Sequence, residues 1–308
     1  MNQKRTGGYI ALSITSIVWG TTWVASKIAV SKIPAFQMAS IRQFLAGLSF
    51  VLFFMLYKKM KWPTAKQFAF LLILSILMFV GANGLSTWSL DYIPTGLSCL
   101  IGALYPLSVV LIEMIFFKNR NLSILTFVGL LLGIGGTFIV FYENAFHGVR
   151  PEGFFFGVFL SFIAMLTWSI GSIIIAKNTI KINPYYSIGW QMLISSGLLY
   201  LVALVSGKNI PLAQVPGSGW MAVCYLVIAG SLIAYAAFVY SMKTLPPALF
   251  SLYAYINPLV AMVVAGILLK EKLNLNILWG AIVTLVGVFI VNYSIRKNKK
   301  AVMAEPEI

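Results

Sequence analysis

PTGLSCLIGALYPLSVVLIEMIFFKNR (residues 94–120) and PPALFSLYAYINPLVAMVVAGILLKEK (residues 246–272) are two versions of one pattern. Each begins with a proline, carries a second proline near its middle and ends in a basic cluster. The spacing from Pro94 to Pro246 is the same as the spacing from Pro106 to Pro258. Both stretches are apolar over enough residues to cross a hydrocarbon core of about 30 Å as a helix. The pattern therefore predicts two related membrane-spanning segments.

The central prolines predict a helix break in each segment, at Pro106 and at Pro258. Proline has no backbone N–H and crowds the carbonyl four residues earlier, here that of Gly102 or Ala254. Such breaks are tolerated where they face protein or a watery cavity, and matched breaks in two halves of a chain indicate a transporter's binding site. The alternative is that the kinks only shape packing, because proline is common in membrane helices.

The composition is that of a polytopic membrane protein. Hydrophobic residues make up 60% of the 308 positions and charged residues only 9%, whereas soluble domains carry roughly 25% charged residues. The net charge of +15 comes from basic residues in the short loops between apolar runs. Basic loops of this kind determine how a membrane protein is oriented in the bilayer. We therefore expect a lipid bilayer as partner, and no nucleic acid. Cys99 and Cys224 lie in apolar spans without metal-ligand spacing, and His147 is the single histidine. We therefore predict no catalytic residues, no metal and no cofactor, and not an enzyme.

Ten apolar runs predict an all-α integral membrane protein with ten transmembrane helices. The positive-inside rule places both termini in the cytoplasm. We expect the protein to lie in a bacterial cytoplasmic (inner) membrane. Five spans in each half is an odd number, so residues 1–145 and 146–308 form two inverted five-helix repeats within one membrane domain. The predicted spans are 9–30, 35–57, 67–89, 94–117, 122–142, 153–176, 185–206, 218–241, 247–269 and 274–295.

Further matches between the halves support the duplication. Trp19 and Trp168 have the same spacing as Arg42 and Gln191. Gly135 and Gly287 keep the spacing of the prolines. Inverted repeats that rock against each other give two oppositely facing states, which favours alternating access over a fixed pore.

The order of short motifs resembles the drug/metabolite transporter superfamily, in particular its EamA-type ten-span members. The resemblance rests on Trp19-Gly20, residues 42–47 (RQFLAG), Tyr105-Pro106, Asn257-Pro258 and residues 269–272 (LKEK). It implies an exporter of metabolites or drugs, with a central cavity lined by spans one, three, four, six, eight and nine, and with spans five and ten as scaffold. The chain departs from the family at Lys270, where glycine is frequent.

Aromatic and amide side chains deep in the spans are the candidate substrate-binding residues. Directed hydrogen bonds and flat apolar faces are what a ligand site needs, although tryptophan and tyrosine also form interface belts and polar groups also bond between helices. The predicted substrate-binding set, including one basic residue, is Trp19, Trp23, Arg42, Asn83, Tyr105, Trp168, Tyr235, Tyr253 and Asn257.

Three charged residues have two interpretations each. Arg42 is a basic residue inside a span, where a charge is costly and usually faces an interior cavity; it either binds a substrate carboxylate or holds two helices together. Glu113 is either a proton site or a helix-end acid that faces Lys118 or Arg120. Glu271 either orders the turn into span ten or contacts substrate.

The sequence therefore predicts a secondary transporter that exports small metabolites (amino acids, related compounds or drugs) through a central cavity. The alternative is a passive facilitator or channel for the same solutes. The small-residue face Gly129-xxx-Gly133 predicts close helix packing, either within the monomer or in a homodimer.

Overall fold

A computed structural model describes residues 3–116, 123–147, 151–250 and 252–304, and every regular element in these ranges is helical. The long helices of the first half are α1 (Gln3–Val30), α2 (Ala35–Leu56), α3 (Ala65–Ser89), α4 (Thr95–Phe116) and α5 (Ile124–His147). Those of the second half are α6 (Phe154–Ala176), α7 (Pro184–Val205), α8 (Gly217–Thr244), α9 (Tyr253–Leu268) and α10 (Leu275–Ala304).

Nine helices in the described ranges are long and apolar enough to cross a membrane. The remaining one, α9, is apolar but only 16 residues long, and a four-residue helix (Pro247–Phe250) precedes it. The predicted membrane class is thereby confirmed. The tenth crossing and the cytoplasmic position of the termini stay predictions.

Helices α2 and α7 pack side by side in antiparallel order. At the start of α2, the amide of Gln37 bonds Ile210 just beyond the end of α7, with its oxygen 2.9 Å from the Ile210 nitrogen. Further along, the Ser40 hydroxyl donates to the Ser196 carbonyl at 2.8 Å. Near the end of α2 the ring of Phe54 stacks on Tyr185, at the beginning of α7. Contacts thus run up one helix and down the other.

Helices α5 and α10 form the second antiparallel pair. The Thr126 hydroxyl lies 2.8 Å from that of Ser294, and the Thr137 hydroxyl lies 3.2 Å from that of Thr284. At the far end of the pair, Glu143 accepts hydrogen bonds from Asn274 and from Asn276, the latter at 2.9 Å. The pair is therefore tied by hydroxyl groups along its length and by one carboxylate at its end.

Glycines let the backbones of α5 and α10 meet. A Cβ at Gly129 would lie 2.8 Å from the carbonyl oxygen of Gly287, and a Cβ at Gly287 would overlap the backbone of Gly133. The Gly129-xxx-Gly133 face therefore packs within the monomer. Gly135, which the sequence matches to Gly287, instead has open space around its Cα. Gly135 and Gly287 therefore match in sequence but not in their surroundings. The glycine of α5 that contacts Gly287 is Gly133.

The two predicted helix breaks differ in the structure. Helix α4 is divided into Thr95–Ala103 and Tyr105–Phe116, so its break at Leu104 lies just before Pro106. Helix α9, by contrast, runs through Pro258, and the predicted break at that residue is wrong. Pro258 lies near the start of α9, where its missing N–H affects only the first turns. Leu252 lies in a turn directly before α9, and the short helix that ends at Phe250 is a separate element.

Three of the described helices contain widened π-helical turns that the sequence did not predict. One of these turns ends α5, at Glu143–His147. The other two lie in the interior of α3 and α8. These turns span Ser75–Gly84 in α3 and Leu226–Ile233 in α8. A π turn changes the direction of the side chains that follow and is frequent at functional sites. Asn83 lies in the first of these stretches and Tyr235 follows the second.

Candidate functional site

A central cavity lies between helices of both halves. The cavity has a volume of about 180 Å³. In the described ranges its lining comes from α1, α3, α4, α6, α8, α9 and one residue of α2, with none from α5, α7 or α10. The space is that of a site for a small molecule, surrounded mainly by apolar and aromatic side chains with a few polar groups.

All nine predicted substrate-binding residues line this cavity. Seven helices contribute them, so the fold brings together side chains that are far apart in sequence. Their contact with a solute stays a prediction. The nine are Trp19, Trp23, Arg42, Asn83, Tyr105, Trp168, Tyr235, Tyr253 and Asn257.

Arg42 is almost completely buried, with 5% of its surface exposed. Its Nε donates to the Ser231 hydroxyl at 3.0 Å, which joins α2 to the π turn of α8. Arg42 also belongs to the lining of the cavity. Both interpretations of the sequence are therefore compatible with one geometry, since Arg42 links two helices and also lines the cavity.

Aromatic rings form one wall of the cavity around Trp19. Its ring centroid lies 5.0 Å from that of Tyr235 and 5.7 Å from that of Tyr253, both in edge-on arrangements. The Trp19 Nε1 donates to the carbonyl of Gly230 at 3.2 Å. This carbonyl belongs to the π turn of α8, so the indole supplies a hydrogen bond to a widened helix. Trp19 is therefore fixed by two ring contacts and one hydrogen bond.

Two tyrosines connect the halves next to the break of α4. The hydroxyls of Tyr105 and Tyr253 lie 3.2 Å apart. Tyr105 begins the second segment of α4 and Tyr253 begins α9, so this bond joins two helix starts. Pro258 also lines the cavity, whereas Pro106 is buried outside the lining.

Amide and hydroxyl groups complete the polar part of the lining. Asn83 accepts from Gln43 at 3.0 Å, and Asn257 lies 3.6 Å from the Cys99 sulfur. The hydroxyls of Ser89, Ser98 and Ser161 form a triangle with sides of 2.8 to 2.9 Å that joins α3, α4 and α6. Of these three, Ser98 and Ser161 line the cavity. The sequence did not predict them, because a lone serine in an apolar helix gives no signal that separates a lining residue from a helix contact.

Charged residues tie together one end of the helix assembly. Lys27 donates to the carbonyls of Leu90 and Ile93, in the connection between α3 and α4. The neighbouring carboxyl of Asp91 is partly buried, which raises its pKa to about 6, and the positive charges of Lys27 and Lys208 oppose this rise. Asp91 therefore changes its charge near pH 6, outside the membrane-spanning helices.

Glu271 caps the first helical segment of α4. One carboxylate oxygen accepts from the Thr95 N–H at 2.7 Å and the other from the Gly96 N–H at 3.2 Å. The preceding Lys270 has a φ of 54°, a left-handed conformation that glycine adopts without strain. This gives a physical reason for the frequent glycine at that position in the family that the sequence resembles.

Glu113 lies in the second segment of α4, half-buried and outside the cavity lining. Its predicted alternative partners, Lys118 and Arg120, lie outside the described residues. No group of three or more His, Cys, Asp or Glu side chains in the described part of the chain could hold a metal ion.

Bundled apolar helices around an internal cavity define a membrane protein that handles small solutes. The chain belongs to the EamA-like transporter family, which matches it twice, at residues 6–142 and 155–293. The two matches together cover most of the chain and both sets of five helices.

Relatives and a solved structure cover nearly the whole chain. It is 29% identical over 267 residues to "Uncharacterized inner membrane transporter YedA" of Escherichia coli (strain K12). That alignment covers 86% of this chain and 83% of the relative. It is 22% identical to "Uncharacterized transporter YoaV" of Bacillus subtilis (strain 168), over 94% of this chain and 97% of the relative. A solved crystal structure has a TM-score of 0.65 at 18% identity, covering 96% of this chain and 99% of that one, which supports the fold alone.

Proposed function

We propose that this protein is a secondary transporter that exports small metabolites (amino acids, related compounds or drugs) across the bacterial cytoplasmic membrane. It works by alternating access through the central cavity. The observation that carries the proposal is the cavity itself, whose walls are drawn from both sets of five helices. Relative movement of the two sets would change which side of the membrane the cavity faces.

The helix arrangement supports an inverted repeat. Helix α1 packs against α8 and α9, and α6 packs against α3 and α4. Exchanging each helix for its counterpart five positions along the chain converts the first set of contacts into the second. The antiparallel pairs α2–α7 and α5–α10 also consist of counterparts. We infer that residues 1–145 and 146–308 are the two halves, with ten crossings and both termini in the cytoplasm.

Counterflow in proteoliposomes tests the proposal. Vesicles containing the full chain are loaded with one amino acid at a time, and uptake of the same labelled amino acid is followed. A carrier shows faster uptake when unlabelled solute is present inside, because the loaded site returns more quickly than the empty one. A passive channel shows no such stimulation, and that result would replace the carrier by a channel for the same solutes. Whether the protein works as a homodimer stays a separate prediction.

Truncating two lining residues is expected to weaken transport. Asn257→Ala removes an amide and Tyr235→Ala removes a ring packed on Trp19. We expect the half-saturation concentration to rise about 2- to 10-fold for each, the equivalent of one lost hydrogen bond or ring contact. Tyr200→Ala is the control, because Tyr200 is 49% exposed on α7, away from the cavity. Unchanged kinetics in both variants would contradict the site assignment.

Glu113 is the proposed proton site. It is a half-buried carboxylate within a span, and glutamine at this position cannot take up a proton. We expect Glu113→Gln to abolish accumulation driven by a pH gradient while counterflow continues. The exposed acid Glu152 gives the control variant Glu152→Gln. Undiminished uphill accumulation in Glu113→Gln would remove Glu113 from the mechanism.

A further inference from the structure

Arg42 has no acidic partner in the described part of the protein. The chain has seven acids, and none of those in the described ranges forms an ion pair with Arg42. Two of these acids are occupied elsewhere, since Glu143 accepts from two asparagines and Glu271 from two backbone N–H groups. The acids concerned are Asp91, Glu113, Glu143, Glu152 and Glu271.

A buried cation without a counter-ion is costly. An arginine inside a membrane helix is costly to insert and usually pairs with another group in the interior of the bundle. The single hydrogen bond to Ser231 satisfies one of the five donors of the guanidinium. A bound anion would supply both the missing charge and acceptors for the remaining donors, and a carboxylate fits the planar donor fork.

The remainder of the cavity carries no charge that would favour a different solute. Arg42 is the one charged side chain among the described lining residues. A cationic solute would therefore meet repulsion without a compensating carboxylate, and a single positive charge matches a monoanion better than a doubly charged phosphate. Trp19, Trp168 and Tyr235 present ring surfaces to the same space.

We propose that the cavity selects solutes that join one carboxylate to a flat apolar body, with the carboxylate on Arg42 and the body against the aromatic wall. The inference rests on the proposed function and names its substrate class. It concerns the charge of the solute, so it can fail while the carrier mechanism stands.

Binding of three probes of matched shape tests the charge preference. The probes are phenylacetate, phenylacetamide and phenethylamine, which are negative, neutral and positive at pH 7. The full chain is placed in nanodiscs of neutral phosphatidylcholine, and binding is followed by tryptophan fluorescence, because Trp19, Trp23 and Trp168 line the cavity. We expect phenylacetate to bind most tightly, by about 10- to 100-fold over phenylacetamide, as a hydrogen-bonded charge pair requires.

Three variants separate an anion anchor from a structural link, and a fourth controls for the loss of a positive charge. Arg42→Gln should remove the preference for phenylacetate over phenylacetamide, whereas Arg42→Lys should keep part of it. Ser231→Ala removes the hydrogen bond that joins the helices but leaves the charge, and should keep the preference. Lys32→Gln removes one positive charge from an exposed position outside the cavity and should have no effect.

Several results would overturn the proposal. These are no saturable binding of phenylacetate, equal or tighter binding of phenylacetamide or phenethylamine, and a preference that survives Arg42→Gln. Tighter binding of phenyl phosphate than of phenylacetate would also contradict the carboxylate assignment. Each of these leaves trans-stimulation in the counterflow assay intact, whereas loss of trans-stimulation would overturn the carrier mechanism instead.

Discussion

Gly287→Ala lowers the Tm of the purified protein by at least about 5 °C, because a methyl group does not fit between α5 and α10. A Cβ at this position would overlap the backbone of Gly133 and lie 2.6 Å from the carbonyl oxygen of Gly129. Backbone atoms cannot rotate away as the end of a side chain can. The two helices must separate, which also strains the hydroxyl contacts of Thr137 and Thr126.

The same helix pair offers a matched control. Gly135 lies on α5, two residues after Gly133, and a Cβ added there meets nothing within 4 Å. Gly135→Ala should therefore keep or slightly raise the Tm, since alanine favours helix over glycine. Thermal unfolding in one detergent measures both variants. Equal Tm values for the two would mean that the helices do not meet at Gly287.

Glu271→Gln is expected to lower the Tm by roughly 3–6 °C, because it removes the charge that caps the first segment of α4. That segment, Thr95–Ala103, has only nine residues, and its N-cap residue Pro94 provides no side-chain hydrogen bond. The carboxylate bonds two N–H groups there, whereas a glutamine has one acceptor oxygen and no charge.

Lys272→Gln controls for a change of charge in the same loop. Lys272 is exposed next to Glu271, and the control variant should unfold at the wild-type temperature. If Glu271→Gln also unfolds there, Glu271 does not hold α4, and its second interpretation, a contact with substrate, becomes the one to test.

Sequence reasoning located the helices well, because each apolar run is long and ends at polar or glycine residues. The predicted span 185–206 corresponds to α7, Pro184–Val205, and the run 35–57 to α2, Ala35–Leu56. The break near Pro258 was misplaced because a proline's effect depends on where its helix begins, and the start of α9 depends on tertiary packing. The π turn of α8 accepts a hydrogen bond from Trp19 at Gly230, a long-range contact that no local pattern encodes.

The site was predictable to the extent that its residues are unusual in a membrane helix. Arg42, Asn83 and Asn257 are conspicuous among apolar neighbours, and all three line the cavity. Ser98 and Ser161 also line it but resemble the many serines that bond their own helix. Gly135 is an error of the opposite kind, because the sequence pattern singles it out but the structure gives it no helix contact. Spacing alone cannot decide which side of a helix faces its partner.

Arg42 has an uncharged counterpart in the second half, Gln191, whose side chain bonds Ser187 one turn back along its own helix. The helices are duplicated but the charge of Arg42 is not. A carrier that alternates between an inward-facing and an outward-facing state would therefore surround a bound anion with different groups in the two states. Detailed balance then requires that tighter binding on one face shift the reorientation equilibrium of the loaded carrier toward that face, relative to the empty carrier, by the same factor. This asymmetry determines the side of the membrane on which the protein binds solute when the solute concentration is low. Without an energy source, however, it cannot accumulate the solute on either side.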